Sequence, residues 1–182
     1  DYGSAYIFTR TGVSWSQQQK IRAFDGEKDD FFGYSLSLHD NTLVVGAHYD
    51  DDKKSASGSA YIYVRSGTGT WSLEQKVVAS DGEENDWFGY ATAIYGDTLI
   101  VGARHDLNAE PMTSNGFAYI FVRNSDKTWW QRQKLGANDG AAGDSFGASV
   151  SIGSDFVVVG CRYDDDRGID SGSVYVFYLP PF

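Results

Sequence analysis

The chain has 182 residues, of which 25 are acidic and 15 are basic, and its formal net charge is −10. Nucleic acids and anionic membrane surfaces are bound through basic side chains, so the charge argues against both as main partners. A single cysteine, Cys161, excludes an internal disulfide framework and a zinc site built from several cysteines. No apolar run approaches the roughly 18 residues of a membrane helix, and we expect no membrane insertion in this segment.

The predicted elements begin with two short β-strands before residue 25, one over 4–8 and one that starts at Trp15. Residues 32–38 then alternate apolar and small side chains, which is typical of a strand with one buried face. Three further runs, 43–47, 59–65 and 71–78, complete a unit of four strands. The next unit repeats this order and the last supplies three strands, the final one over 173–177. The sequence therefore predicts 13 strands and no helix.

Five short sequence features recur with a period of about 56 residues. They are a Gly-x-Ala-Tyr-Ile run, an Asp-Gly pair, a Phe-Gly pair, a Val-Gly-Ala run and a Trp followed four and five residues later by Gln-Lys. The Phe-Gly pairs begin at Phe32, Phe88 and Phe146, and the tryptophans are Trp15, Trp71 and Trp129. Five independent features with one period predict a repeat architecture.

Four antiparallel strands in a repeat of this length are typical of the blade of a β-propeller, so the fold class is all-β. We divide the chain into a partial blade (1–24), two blades (25–79 and 80–137) and a partial blade (138–182). About three blades are fewer than the four to eight of a closed ring. We therefore expect a segment of a larger propeller, with assembly from several copies as the alternative. The three recurring phenylalanines are expected to lie in the core between sheets.

The runs 139–147, 157–160 and 172–177 resemble the FG-GAP repeat, which builds the propeller of integrin alpha chains. The resemblance implies an extracellular or cell-surface propeller that binds other molecules. In integrin-type repeats a loop between the first two strands holds calcium. Here those connections are tight turns such as His39-Asp40-Asn41, too short to surround an ion with six or more oxygens. The chain is therefore similar to the branch without this calcium loop.

The acidic residues concentrate on one predicted face. A meander of four strands places the loops after its second and fourth strands on the same face, and these loops hold 19 of the 25 acids. Asp30, Asp86 and Asp144 each stand two residues before a recurring Phe, and we expect them to accept backbone N–H groups in a turn.

Two acidic runs in these loops, 50–52 and 164–166, are the candidates for a cation site. If a cation binds, we expect calcium at the second run, with Asp164, Asp166 and Asp170 as ligands. Asp50 and Asp52 are the weaker equivalent because Lys53 and Lys54 follow them. Residues 106–108, the matching loop between them, are expected to bind nothing. The alternatives are a solvated cluster, or neutralisation of the second run by Arg162 and Arg167.

The sequence contains no Gly-x-Ser-x-Gly nucleophile turn, no phosphate loop and no histidines spaced as a metal pair. We predict a non-catalytic binding, adhesion or structural module that recognises a protein or glycan through its loop faces. His48, Arg104 and Arg162 lie in these loops and are candidates for ligand contact. One alternative is a carbohydrate-active enzyme that uses carboxylates of the acidic loops. Another is an architectural module that packs against further blades or copies of itself.

Overall fold

A computed structural model describes residues 2–105 and 114–179. These residues form 13 β-strands: β1 (Ala5–Thr11), β2 (Ser14–Ile21), β3 (Ser35–His39), β4 (Thr42–Ala47), β5 (Ser59–Arg65), β6 (Trp71–Val77), β7 (Phe88–Tyr95), β8 (Thr98–Ala103), β9 (Phe117–Arg123), β10 (Trp129–Leu135), β11 (Phe146–Ile152), β12 (Phe156–Cys161) and β13 (Ser173–Tyr178). Within the two described ranges there is no helix, and hence none that could cross a membrane.

The strands form four antiparallel sheets in chain order, which we name sheet I (β1–β2), sheet II (β3–β6), sheet III (β7–β10) and sheet IV (β11–β13). Each four-stranded sheet is a meander in which every strand pairs with its sequence neighbours. The predicted all-β fold with blade-like sheets is confirmed, as is the number of strands. The described sheets do not close into a ring, so membership of a larger propeller stays a prediction.

The recurring phenylalanines lie in the core, as the sequence predicted. Phe32, Phe88 and Phe146 are 2%, 0% and 0% exposed. Each ring meets the edge or face of a tyrosine on the third strand of its own sheet, at centroid distances of 5.2, 5.5 and 5.4 Å; the tyrosines are Tyr61, Tyr119 and Tyr175. The equivalent positions of the repeat therefore have the same packing role in three sheets.

Glycines allow the backbones of neighbouring sheets to meet. A Cβ atom on Gly46 would lie 2.0 Å from the carbonyl oxygen of Gly89, and one on Gly102 would lie 2.1 Å from that of Gly147. Real side chains do not tolerate such distances, so only glycine fits. The recurring Val-Gly-Ala and Phe-Gly sequences thus supply the two sides of one contact between sheets.

A side-chain amide joins the outer strands of adjacent sheets. Gln19 of β2 donates from Nε2 to the carbonyl oxygen of Trp71 (2.8 Å), and its Oε1 accepts the N–H of Trp71 (3.0 Å). Gln75 of β6 holds the backbone of Trp129 in the same way, with both distances 2.7 Å. The recurring Trp and Gln are therefore partners across two sheets.

The acidic loops lie side by side on one face, which supports the predicted segregation of charge. The N–H of Trp87, in the loop after β6, donates to Ala56 O in the loop after β4 (3.1 Å), and the N–H of Phe146 donates to Asn115 O (2.6 Å). The three recurring aspartates accept backbone N–H groups three residues earlier in the chain, as expected, at 2.5, 2.7 and 2.7 Å; they are Asp30, Asp86 and Asp144.

Replacing Phe88 by alanine should lower the free energy of unfolding by roughly 3–5 kcal/mol, because the ring is fully buried and its removal leaves a cavity. Urea denaturation followed by tryptophan fluorescence measures the change. Phe24→Ala is the matched control, since that ring is 73% exposed. Equal effects of the two substitutions would contradict the packing described here.

Candidate functional site

Seven side chains at the junction of sheets II and III form a cluster on the loop face, which we call the aromatic site. They come from the segments that enter the first strand and leave the second strand of each sheet: Phe31, Tyr34, His48, Tyr49, Trp87, Tyr90 and Arg104. Phe31 and Trp87 have positive φ angles of 57° and 56°. Ser145 has an angle of 60° at the same place in sheet IV, so this conformation belongs to the repeat and not to the site alone.

His48 lies at the centre of the aromatic site. Its ring centroid is 4.0 Å from that of Tyr34, 5.4 Å from Tyr90 and 5.5 Å from Trp87, and only 4% of the residue is exposed. Burial, with a smaller contribution from the positive charge of Arg104, lowers the pKa of His48 to about 4. The imidazole is therefore neutral at physiological pH.

Arg104 supplies the positive charge of this site. Its guanidinium carbon lies 4.7 Å from the ring centroid of Trp87 and 4.4 Å from that of Tyr90, which is cation–π geometry. Its Nε is buried and makes no hydrogen bond within residues 2–105 and 114–179. Burial, and after it the hydrogen bond with Tyr90, raises the pKa of Tyr34 to about 12. The hydroxyl of Tyr34 is therefore protonated at neutral pH.

The outer surface of the aromatic site consists of rings. Phe31 is 47% exposed, Tyr34 is 49% exposed and Tyr49 is 37% exposed. Of the three residues predicted for ligand contact, the structure brings His48 and Arg104 together. Arg162 is exposed on sheet IV, where its guanidinium carbon lies 4.8 Å from the ring centroid of Tyr163.

The first acidic run is part of a second cluster, which we call the lysine-capped cluster; it consists of Asp25, Asp50, Asp52, Tyr61 and Lys76. The Nζ atom of Lys76 lies 2.8 Å from a carboxylate oxygen of Asp25 and 2.8 Å from one of Asp50, and it also pairs with Asp52. The hydroxyl of Tyr61 is 2.8 Å from Asp25 and 2.7 Å from Asp50. A lysine side chain thus lies where the sequence predicted a metal ion at Asp50 and Asp52.

In this cluster Lys76 and Asp25 each stabilise the charged form of the other. Burial disfavours the charged form of Lys76, but hydrogen bonds to the three carboxylates outweigh it and raise the lysine pKa above its usual range. Burial likewise opposes ionisation of Asp25, and hydrogen bonds from Lys76 and Tyr61 lower the pKa of this carboxyl nonetheless. The cluster is therefore a charged network at neutral pH.

Sheet IV contains the same arrangement without a lysine. The hydroxyl of Tyr175 lies 2.8 Å from Asp139 and 3.0 Å from Asp164, and the N–H of Asp166 donates to Asp164 (3.1 Å), as the N–H of Asp52 does to Asp50 (3.3 Å). In the part of the chain that the structure describes, no lysine or arginine forms an ion pair with Asp139, Asp164 or Asp166.

The bases next to the acidic runs in sequence form no ion pairs with them. Arg162 precedes the second run and Arg167 follows it; neither forms an ion pair with its carboxylates, although the positive charge of Arg167 partly opposes the rise in the pKa of Asp166 that Asp164 causes. Lys53 does not face the carboxylates of the first run, because its ammonium group binds the carbonyl oxygens of Ala79 and Ser80 at 2.5 and 2.8 Å. Lys54 pairs with Glu83. Lys53 and Lys54 thus bind groups of the loop after β6 and not the carboxylates that precede them in sequence.

The residues predicted to bind calcium are only partly brought together. Asp164 and Asp166 are adjacent, whereas the N–H of Asp170 donates to Asp165 (2.7 Å). Asp144 and Cys161 offer potential ligand atoms within 4.8 Å of Asp164. Burial, with nearby carboxylates, raises the pKa of the Cys161 thiol to about 12, so the thiol is protonated at neutral pH when no metal is bound. Calcium at Asp164 stays a prediction, and residues 106–108 lie outside the described residues.

The FG-GAP repeat family model matches three consecutive segments, residues 15–63, 71–121 and 129–177. These matches cover most of the chain, which therefore belongs to the FG-GAP repeat family. Each match starts at the Trp of a fourth strand and ends in the third strand of the next sheet, so the sequence repeat spans a junction between sheets. FG-GAP repeats form β-propeller modules that are commonly binding modules of extracellular or surface proteins. No curated protein matches the chain.

Sequence reasoning missed Tyr61 and Lys76 as partners of the acids. The lysine of the recurring Gln-Lys pair could have been identified as a partner of the acids, because Lys20, Lys76 and Lys134 occupy the same position of the repeat. Trp87, Tyr34 and Tyr90 were missed because recurring aromatic residues are more often part of a core.

Lys76→Met should lower the free energy of unfolding by about 3 kcal/mol at pH 7, because it leaves the carboxylates of Asp25 and Asp50 without their cation. Combining it with Asp50→Asn should recover part of this loss, as a double-mutant cycle by urea denaturation will show. Lys20→Met is the control, since Lys20 occupies the same position in sheet I without an ion pair among the described residues. Additive effects of the two cluster substitutions would contradict the network.

Unfolding free energy should decrease as the pH falls from about 6.5 to about 4, by up to about 3 kcal/mol from His48 alone. The sign follows because the unfolded chain binds a proton at this histidine in that range and the folded chain does not. His48→Gln should reduce this pH dependence, measured by urea denaturation at several pH values. His39→Gln, in a hairpin on the other face, should keep it. An unchanged slope in the His48 variant would show that this histidine is not buried in its neutral form.

Proposed function

We propose that the chain is a non-catalytic binding module of an extracellular or cell-surface protein, and that its ligand contacts the aromatic site. The observation that carries this proposal is the group of half-exposed rings, Phe31, Tyr34 and Tyr49, beside the partly buried guanidinium group of Arg104. Tyrosine, tryptophan and arginine are the residues that most often dominate the affinity of protein interfaces. Membership of a family of binding propellers supports the same function.

A protein segment that pairs an apolar side chain with a carboxylate suits this chemistry best. The rings offer apolar area that loses little side-chain entropy on binding, because each ring is held by its neighbours. Arg104 forms no ion pair among the described residues, and an acidic group of the ligand would pair with its positive charge. The surrounding acidic loops would in turn repel strongly acidic partners, which makes the contact selective.

A glycan is the second candidate ligand. The exposed faces of Tyr34 and Phe31 can pack against the apolar face of a sugar ring, while the hydroxyl oxygen of Tyr34 accepts a hydrogen bond from the sugar. A neutral sugar differs from an acidic protein segment because it does not need the positive charge of Arg104. The Arg104→Met substitution therefore distinguishes the two ligand classes.

Binding to a panel of extracellular proteins and to a glycan array tests the proposal. Tyr34→Ala should weaken binding of the ligand found there at least tenfold, with little change in stability because the ring is half-exposed. Arg104→Met should weaken binding of an acidic protein segment and leave a neutral glycan unaffected. Tyr95→Ala, a ring that is 45% exposed on the opposite hairpins, is the control. A ligand that is insensitive to Tyr34→Ala and lost in the Tyr95 variant would contradict the proposed site.

A further inference from the structure

Two arginines occupy one position of the repeat on the loop face. His48, Arg104 and Arg162 each follow directly after the second strand of sheets II, III and IV. Because β8 packs against β11 where Gly102 meets Gly147, the last two of these positions lie on neighbouring sheets at the same face. Sheets III and IV therefore carry guanidinium groups where sheet II carries a neutral imidazole.

Neither arginine forms an ion pair among the described residues, although both belong to acidic loops. For Arg104 this holds with a packed sheet on either side, since sheets II and IV both contact sheet III. Arg104 stacks on the rings of Trp87 and Tyr90, and Arg162 stacks on Tyr163. A guanidinium group that packs by its face keeps the N–H donors in its plane for an anion.

A tyrosine hydroxyl lies beside these guanidinium groups. The ring centroids of Tyr34 and Tyr90 are 4.9 Å apart. After burial, the hydrogen bond with Tyr90 is the next cause of the raised pKa of Tyr34, so Tyr34 donates the proton of this bond and Tyr90 accepts it. The hydroxyl proton of Tyr90 is not used in that bond. The charges of Arg104 and Arg162 both act on the same hydroxyl of Tyr34 and oppose the rise in its pKa, which places both near the tyrosine pair.

We propose that Arg104, Arg162 and the hydroxyl of Tyr90 bind the sulfate group of a sulfated tyrosine in a protein ligand. This inference rests on the proposed function, because the ring of that tyrosine would contact the half-exposed rings of the aromatic site. A sulfated tyrosine combines the apolar side chain and the acidic group of the ligand in one residue. Donors from three chain segments suit its three terminal sulfate oxygens, whereas a carboxylate has only two oxygens.

The charge of the surrounding loops favours a sulfate ester over a phosphate ester. A phosphate monoester carries about 1.5 to 2 negative charges at pH 7, whereas a sulfate monoester carries a single one. The two guanidinium groups attract either anion, but the acidic loops of the same face repel the additional charge of the phosphate. The site therefore suits an anion with three oxygens and one charge.

Binding of 4-methylphenyl sulfate, which is the side chain of sulfated tyrosine, tests the inference. Binding to the protein is measured by isothermal titration calorimetry at low salt. The matched compounds 4-methylphenyl phosphate and 4-methylphenylacetate carry a phosphate and a carboxylate on the same ring, and each should bind several-fold more weakly. Failure of the sulfate to bind, or equal binding of the carboxylate, would overturn the proposal.

Protein variants locate the bound sulfate. Arg162→Met should weaken binding of 4-methylphenyl sulfate about tenfold, because one of two cations is lost at an exposed position. Tyr90→Phe keeps the ring under Arg104 and should weaken binding several-fold. Arg167→Met removes the same charge from an exposed position of the same loop and should have no effect. Circular dichroism confirms that each variant is folded. Equal effects of the Arg162 and Arg167 substitutions would show that only the net charge matters and would overturn the site.

Two further measurements separate this inference from its alternatives. Glucose 6-sulfate should bind more weakly than 4-methylphenyl sulfate; equal or tighter binding would assign the site to a sulfated glycan and overturn the commitment to a protein ligand. Any protein ligand found in the binding panel should be displaced by 4-methylphenyl sulfate. A ligand that is lost in the Tyr34→Ala variant, but is neither displaced nor weakened by Arg162→Met, would overturn this inference and leave the proposed function standing.

Discussion

The contact between backbones of neighbouring sheets is the constraint on which the rest of the structure depends. At Gly46 against Gly89, and at Gly102 against Gly147, there is no room for a Cβ atom. This approach fixes the spacing and rotation of one sheet on the next. The buried phenylalanine rings and the bonds between Gln and Trp are all formed at that spacing.

The same contact determines where the functional groups lie. It brings the segment before β7 against the segment after β4, and so assembles the aromatic site from two sheets. The lysine-capped cluster, in contrast, is built across the strands of one sheet, from the loops before β3 and after β4 and from β6. A junction between sheets thus forms a surface for ligands, while the interior of a sheet forms an ion-pair network. Within the described residues, sheet IV has the carboxylates of this network and the tyrosine that contacts them.

Much of the fold could be predicted from the sequence, because each recurring residue has a definite structural role, such as filling the core or forming a turn. The period gave the number and order of strands, and Phe88 and Asp86 occupy the core and the turn that were expected of them. One strand differs slightly: residues 32–38 were expected to form it, and β3 starts at Ser35. Phe32 instead forms an isolated bridge with Gly3, which precedes β1, and Gly33 has a φ of 97°.

The candidate sites were less predictable, because their partners are distant in sequence. Lys76 follows Asp25 by 51 residues and Asp50 by 26, and only the strand register brings them together. Adjacent lysines such as Lys53 were the obvious partners in the sequence, but loop hydrogen bonds direct them elsewhere. His48 and Arg104 were identified as loop residues, yet nothing in the sequence indicated that the rings of two sheets would surround them.

Unfolding of a Gly102→Ala variant tests the central claim most directly. Gly102 has an ordinary backbone conformation, so the substitution adds only a methyl group in the contact with Gly147. The account predicts that the free energy of unfolding decreases by about 2 kcal/mol or more, whereas Gly67→Ala, with no atom within 4 Å of the added carbon, has almost no effect. Equal stability of the two variants in urea denaturation would contradict the claim that close backbone contacts between sheets organise this protein.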